Sequence, residues 1–144
     1  MIYSIQTGVV EEQFAISNIN IYYEDCQNGN PYNTTFNVNV VSGYFSGFSQ
    51  FTYDVKEFMR FIHEIKELYE FTREIVELRD ICYGSIVRFE TDKYGHVNIS
   101  GTIFDKEYAM TQSLTFEFNT DQTAIRTFCN DLYGDFITEN NTTN

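Results

Sequence analysis

Residues 34–71 read TTFNVNVVSGYFSGFSQFTYDVKEFMRFIHEIKELYEF, and two hydrophobic periods meet inside them. Over 34–41 apolar and polar side chains alternate. Phe36, Val38 and Val40 fall on one face, Asn37 and Asn39 on the other. Period two marks a half-buried strand. Gly43 predicts a turn or bulge, and residues 44–53 a second, aromatic strand, so the pair reads as a hairpin. At Asp54 the period changes. Val55, Phe58, Met59, Ile62, Ile65 and Tyr69 recur at steps of three and four, with Phe61 and Leu68 widening the stripe. That spacing predicts an amphipathic helix over 54–71 lying on a core. Asp54 suits the N-cap, and Glu57 completes a capping-box-like start at the positive end of the helix dipole. The other face carries Lys56, Arg60, Glu64, Lys66, Glu67 and Glu70. It reads as a solvated face whose ion pairs contribute about 0.2–0.5 kcal/mol each. No Gly or Pro follows Phe71, so nothing marks where the helix stops.

Upstream, residues 13–23 alternate through Phe14, Ile16, Ile19 and Ile21, with a phase slip near Ser17 and Asn18 that predicts a bulge. Residues 24–33 hold Asn28-Gly29-Asn30-Pro31 and read as a loop. Downstream, residues 75–81 alternate partially and are read as a strand. Residues 85–90 and 96–103 are strands joined by a turn at 92–95. After a turn at 105–107, residues 108–118 form a strand with Leu114, Phe116 and Phe118 on one face. Thr120 or Asp121 caps a second helix, 121 to about 136, carrying Ile125, Phe128, Leu132 and Phe136. Residues 138–144 are polar and expected to fray. Strand runs flank the helices without βαβ alternation. The expectation is one α+β domain over 1–137: a mainly antiparallel sheet of six to seven strands packed by helices 54–71 and 121–136.

Charge narrows the partners. Residues 1–55 contain Glu11, Glu12, Glu24, Asp25 and Asp54, and the first cation is Lys56. Over 144 residues, 21 acidic side chains face 9 Lys and Arg, a formal charge of −12. Such a field attracts cationic partners and repels nucleic acid and anionic membrane. The first residues show no basic and apolar leader pattern, and no stretch approaches the roughly 18 apolar residues of a membrane span. Cys26, Cys82 and Cys129 are odd in number and far apart, so they read as reduced thiols, and a cytoplasmic location is expected.

Reactive constellations are hard to find. His63-Glu64-Ile65-Lys66-Glu67 resembles the start of a zinc-protease motif, but Glu67 stands where the second imidazole is needed. With His63 and His96 as the two histidines, no metal site is expected. A Cys–His pair depends on the fold, and Cys82 and Cys129 are read as small buried apolar residues. The sequence from Gly43 to Gly47 lacks the lysine and the following helix of a phosphate loop.

From about residue 13 to 136 the chain resembles the WapI-type immunity proteins of bacterial polymorphic toxin systems. The likeness rests on Val41-Ser42-Gly43-Tyr44-Phe45-Ser46-Gly47, on Phe58 with the Ile62/Ile65 spacing, and on Gly95-His96-Val97-Asn98-Ile99. Leu114-Thr115-Phe116-Glu117-Phe118 and Thr120-Asp121-Gln122-Thr123 complete it. The resemblance implies a cytoplasmic, non-enzymatic antidote, without cofactor, that binds and blocks a cognate toxin, often a nuclease. It carries over no binding residue by position. The candidate partner contacts are therefore acidic positions without local cations: Glu24, Asp25, Asp131 and Asp135. Two other classes stay open. One is a small-molecule-binding or enzymatic domain with an aromatic-lined pocket between helix 54–71 and the sheet. The other is an assembly subunit with a large apolar interface.

Overall fold

The computed structural model describes residues 1–9, 11–92, 94–105 and 112–138. In chain order the elements are β1 (Ile2–Gln6), β2 (Glu12–Ile21), α1 (Tyr23–Gln27), β3 (Thr34–Ser42), β4 (Phe45–Tyr53) and α2 (Val55–Tyr69). Then come β5 (Ile75–Arg79), β6 (Ile86–Thr91), β7 (His96–Phe104), β8 (Ser113–Asp121) and α3 (Gln122–Leu132), which continues as a π-helical segment, Tyr133–Thr138. The class is α+β, as expected, but eight strands form two four-stranded antiparallel meanders. Their orders are β1-β2-β3-β4 and β5-β6-β7-β8. Helix α2 is the connection between them, so each sheet is built from strands adjacent in sequence.

The hairpin at 34–53 stands as read. Ser42 pairs with Phe45, leaving Gly43 and Tyr44 as a two-residue loop, and Gly43 has φ +66°. Glycine in that conformation at the first loop position suits a type II′ turn. The phase slip in β2 is a register shift between Ser17 and Asn20, with Asn18 at φ +53°. The loop expected over 24–33 instead opens with α1, because Cys26 N–H reaches Tyr22 O (3.1 Å) and Asn28 N–H reaches Glu24 O (3.1 Å). Strand β1 was not foreseen. Five residues offer two core positions, Tyr3 and Ile5, too short a run to establish a period.

At the start of α2 the Asp54 carboxylate accepts from Lys56 N–H (3.0 Å), and the Asn33 side-chain oxygen accepts from Val55 N–H (2.8 Å). One orphan donor is thus satisfied locally and another by a residue 22 positions earlier. The helix ends on Phe71 itself, at φ +63°. Thr72 N–H bonds Glu67 O (3.0 Å) and Phe71 N–H bonds Leu68 O (3.2 Å), the two bonds of a Schellman cap with Phe in the usual glycine place.

Helix α2 buries Phe58, Phe61, Ile62, Ile65 and Leu68, and α3 buries Ile125, Phe128, Cys129 and Leu132. At about 1.5–3 kcal/mol per large apolar side chain, this burial outweighs the exposed ion pairs of α2 many times over. Phe14 of the first sheet meets Phe89 of the second edge-to-face at 5.5 Å, so one core is shared. A polar seam also joins the sheets. Ser49 Oγ donates to Phe104 O (2.7 Å), and Ser85 Oγ accepts from Phe104 N–H (2.9 Å). Asp80 is 2% exposed and accepts from Thr52 N–H and Tyr83 N–H, each at 2.8 Å. Asp80 keeps the inward parity of Val76 and Leu78, and β5 ends at Arg79, two residues before the expected limit.

The last expected strand is described from Ser113 and runs on to Asp121; residues 108–111 lie outside the described residues, as do 139–144. The Asp121 carboxylate caps α3 by accepting from Ala124 N–H (2.9 Å).

Candidate functional site

The stretch without Lys or Arg, residues 1–55, is the whole first sheet together with α1. Charge asymmetry along the chain thus becomes asymmetry in space. Across the outward face of this sheet the register aligns Ser4, Ala15, Asn39 and Phe48 in one row and Ile2, Ser17, Asn37 and Gln50 in the next, without a charge. The carboxylates sit at the sheet's two ends. Glu11 and Glu12 lie where β2 meets the Gly43 turn, and Glu24 and Asp25 lie beyond its other end, on α1.

The α1 end is the better-built surface. Tyr22, Tyr23 and Tyr32 are exposed around Glu24 and the half-buried Asp25, with Tyr23 at 65%. The backbone beneath them is tied down. Tyr22 N–H bonds Asn33 O (2.8 Å), and Asn30 N–H bonds Asp25 O (3.0 Å). Tyr32 N–H bonds the Asn30 side chain (2.9 Å). Asn33, 3% exposed, also donates from Nδ2 to Asn30 O (2.9 Å) and accepts from Thr34 Oγ1 (2.9 Å). The same residue therefore holds both the base of this loop and the first turn of α2. Three tyrosines on a preformed loop present large contact area with few rotatable bonds, beside uncompensated negative charge.

The four candidate carboxylates fall into two pairs on different elements. Glu24 and Asp25 share the first turn of α1; Asp131 is exposed on the last turn of α3, and Asp135 sits in the π-helical segment. None of the four joins an ion pair among the described residues, whereas Arg60, Arg73, Arg79 and Arg88 pair with Glu57, Glu67, Glu77 and Glu90. Asp135 is engaged differently, accepting from Tyr3 Oη at 2.7 Å. The tyrosines were missed in sequence. Tyr22-Tyr23 directly before Glu24-Asp25 was the available signal, but aromatic residues are read as core unless the fold shows otherwise.

The reactive side chains stay apart. His63 is exposed on α2 with its ring edge-on to Tyr133 (5.6 Å), and His96 Nδ1 lies 2.9 Å from Asp92 Oδ2. Cys129 is buried, and burial pushes its thiol up to about 12. Cys82 is not buried, contrary to expectation. It sits in the exposed turn between β5 and β6, where the Asp80 anchor points inward and its neighbours outward. Under α2 the space is filled by Phe58, Phe61, Ile62 and Ile65. The concave features described lie at the surface. One, of about 680 Å³, runs between β4 and the start of β8, lined by Ser46, Phe48, Gln50 and Ser113. Another, of about 520 Å³, runs between α2 and β5, and neither histidine lines either groove. No helix among the described residues is long and apolar enough to cross a membrane.

Compared with known proteins, residues 6–136 match the family model described as the immunity protein WapI-like family. No curated protein and no solved structure matches the chain.

Proposed function

The chain belongs to the WapI-like immunity protein family, and from that premise we propose that it neutralises a cognate protein toxin by binding it in the cytoplasm and covering its working surface. The partner surface is basic, as a nuclease's is. The contact is the α1 end of the first sheet, with Tyr22, Tyr23 and Tyr32 carrying affinity and Glu24 and Asp25 raising the association rate. Asp131 adds to the field from α3. The observation behind this reading is spatial: the segment without a cation folds as one sheet and ends in exposed tyrosines on a clamped loop. Charged groups set encounter rate, and desolvated aromatics set lifetime.

Co-expression with candidate toxin domains, those of any neighbouring genes first, tests the reading. Rescue of growth is expected, with an association rate that falls steeply between 50 and about 500 mM salt as the field is screened. Rescue with a salt-insensitive rate removes the electrostatic part. Absence of both binding and rescue removes the reading itself.

A further inference from the structure

The second sheet begins with an edge strand that is only partly closed. β5 pairs with β6 alone, and the register alternates its backbone groups between β6 and the open side. Asp80 N–H bonds Ser85 O (2.8 Å) and Thr91 N–H bonds Glu74 O (3.0 Å), so the even-numbered residues face β6. The odd-numbered residues, Ile75, Glu77 and Arg79, therefore turn their N–H and C=O groups outward. At one end this open side already finds partners. Arg79 N–H donates to the Tyr53 hydroxyl, and Ile81 N–H bonds Thr52 O (3.2 Å). The backbone N–H and C=O groups of Ile75 and Glu77 have no hydrogen bond among the described residues.

Beside these groups runs the groove of about 520 Å³, walled on its far side by α2. Its apolar lining includes Phe61 and Ile75, and its rim carries Glu57, Glu64 and Glu77 against Arg60 and Arg79. Arg60 and Arg79 are each engaged by one of those carboxylates, at 3.3 and 3.2 Å. Glu64 touches Arg73 only at 4.0 Å. The lining itself carries three carboxylates against two guanidiniums, with Arg73 beside Glu64, and it sits in a chain of −12. A helix-walled groove along an unpaired edge is the shape in which an extended segment adds to a sheet, with main-chain bonds for affinity and alternate side chains for selectivity.

We infer that this edge takes an extended, basic segment of the protein partner as a fifth strand of the second sheet. Main-chain bonds go to Ile75 and Glu77, an apolar side chain points toward Phe61, and a Lys or Arg lies by Glu64. A second copy of this chain fits poorly, since it brings −12 against −12. The inference rests on the immunity reading and deepens it.

The test uses the full chain and the toxin domain that co-expression rescue identifies. Glu77→Pro deletes one outward N–H and leaves the ladder to β6, which Val76 and Leu78 carry. Affinity is expected to fall at least about tenfold, the size of one unsatisfied interfacial acceptor, and to fall less for Glu77→Gln, which removes a rim charge but keeps the N–H. Amide exchange of wild-type protein provides an independent reading should the proline variant fail to fold. The Ile75 and Glu77 amides are expected to exchange rapidly in the free protein and at least tenfold more slowly in the complex. Growth rescue with unchanged exchange at both amides overturns the inference and leaves the immunity reading standing. Protection of those amides in the free protein, with a dimer mass in sedimentation, assigns the edge to a second copy and also overturns it. Absence of toxin binding by wild-type protein overturns both.

Discussion

Tyr3 Oη donates to Asp135 Oδ2 at 2.7 Å, across 132 residues of chain. The bond fastens the first strand to the π-helical continuation of α3. Phe136 packs on the Tyr3 ring (6.0 Å) and edge-on against Phe58 (5.7 Å). A carboxylate proposed from sequence as a partner contact thus also closes the fold. Hydrogen bonds to charged groups contribute about 1.5–3 kcal/mol. Tyr3→Phe and Asp135→Ala are each expected to cost about 1–2 kcal/mol in urea unfolding. Asp131→Ala, on an exposed helix turn, is expected to leave the midpoint unchanged within about 0.5 kcal/mol. Equal midpoints for all three variants would show that the Tyr3–Asp135 bond contributes nothing.

Asn33 serves the candidate surface and the fold together. Asn33→Ala leaves the Val55 N–H without its acceptor and frees the Asn30 carbonyl. A loss of about 1–3 kcal/mol is expected for such a buried residue. Faster proteolysis within residues 22–33 is expected to accompany it, read by mass spectrometry of limited digests. Intact digests with wild-type stability contradict the clamp.

Gly101 sits where β7 passes β6. A Cβ there would lie 2.1 Å from the Ile86 carbonyl oxygen and 3.0 Å from Val87 Cα, both backbone atoms that cannot step aside as a side chain can. Gly101→Ala is expected to destabilise by about 3 kcal/mol or more, or to prevent folding. Gly134→Ala, with nothing among the described residues within 4 Å of its Cβ, is the neutral comparison. Thermal melts of the two variants separate the cases.

The buried Cys129 thiol, pushed up to about 12 from 9.0, makes stability pH-dependent in the alkaline range. Below pH 9 the thiol is protonated in both folded and unfolded chains and contributes no slope. Between about pH 9 and 12 the unfolded chain releases its proton first, so stability falls as pH rises. Burial raises the Tyr53 hydroxyl as well, with the same sign at still higher pH. Cys129→Ala is expected to flatten the slope between pH 9 and 11 in urea titrations. In the native protein, iodoacetamide is expected to label exposed Cys82 first and Cys129 only on unfolding.

The elements most legible in sequence repeat a period over many residues or carry a capping side chain, while β5 and β6 were read from shorter alternating runs. Strand β3, the hairpin, α2 from its Asp54 cap, and α3 from Asp121 are of the first kind. β1 is too short to show a period, and α1 is a single turn held by a backbone tie to Asn33. The end of α2 was invisible because Phe71, a residue that resists positive φ, occupies the glycine place. At the candidate surface the acidic pair Glu24 and Asp25 was readable, since charge without a nearby cation is a property of the string. The exposure of Tyr22, Tyr23 and Tyr32 was not, since an aromatic side chain becomes an anchor or a core residue only through what packs over it.

By itself the sequence determined the α+β class, the positions of the long strands and helices, and the confinement of every cation to the chain beyond residue 55. These follow from local periodicity and composition, which depend on neighbours within one turn or one pleat. Tertiary structure alone decided that the strands divide into two meanders, that the cation-free segment closes as one sheet, and that β5 leaves Ile75 and Glu77 open beside α2. Each of those outcomes depends on which distant backbone groups satisfy one another, and the hydrophobic pattern of a strand is the same whether its edge is paired or free.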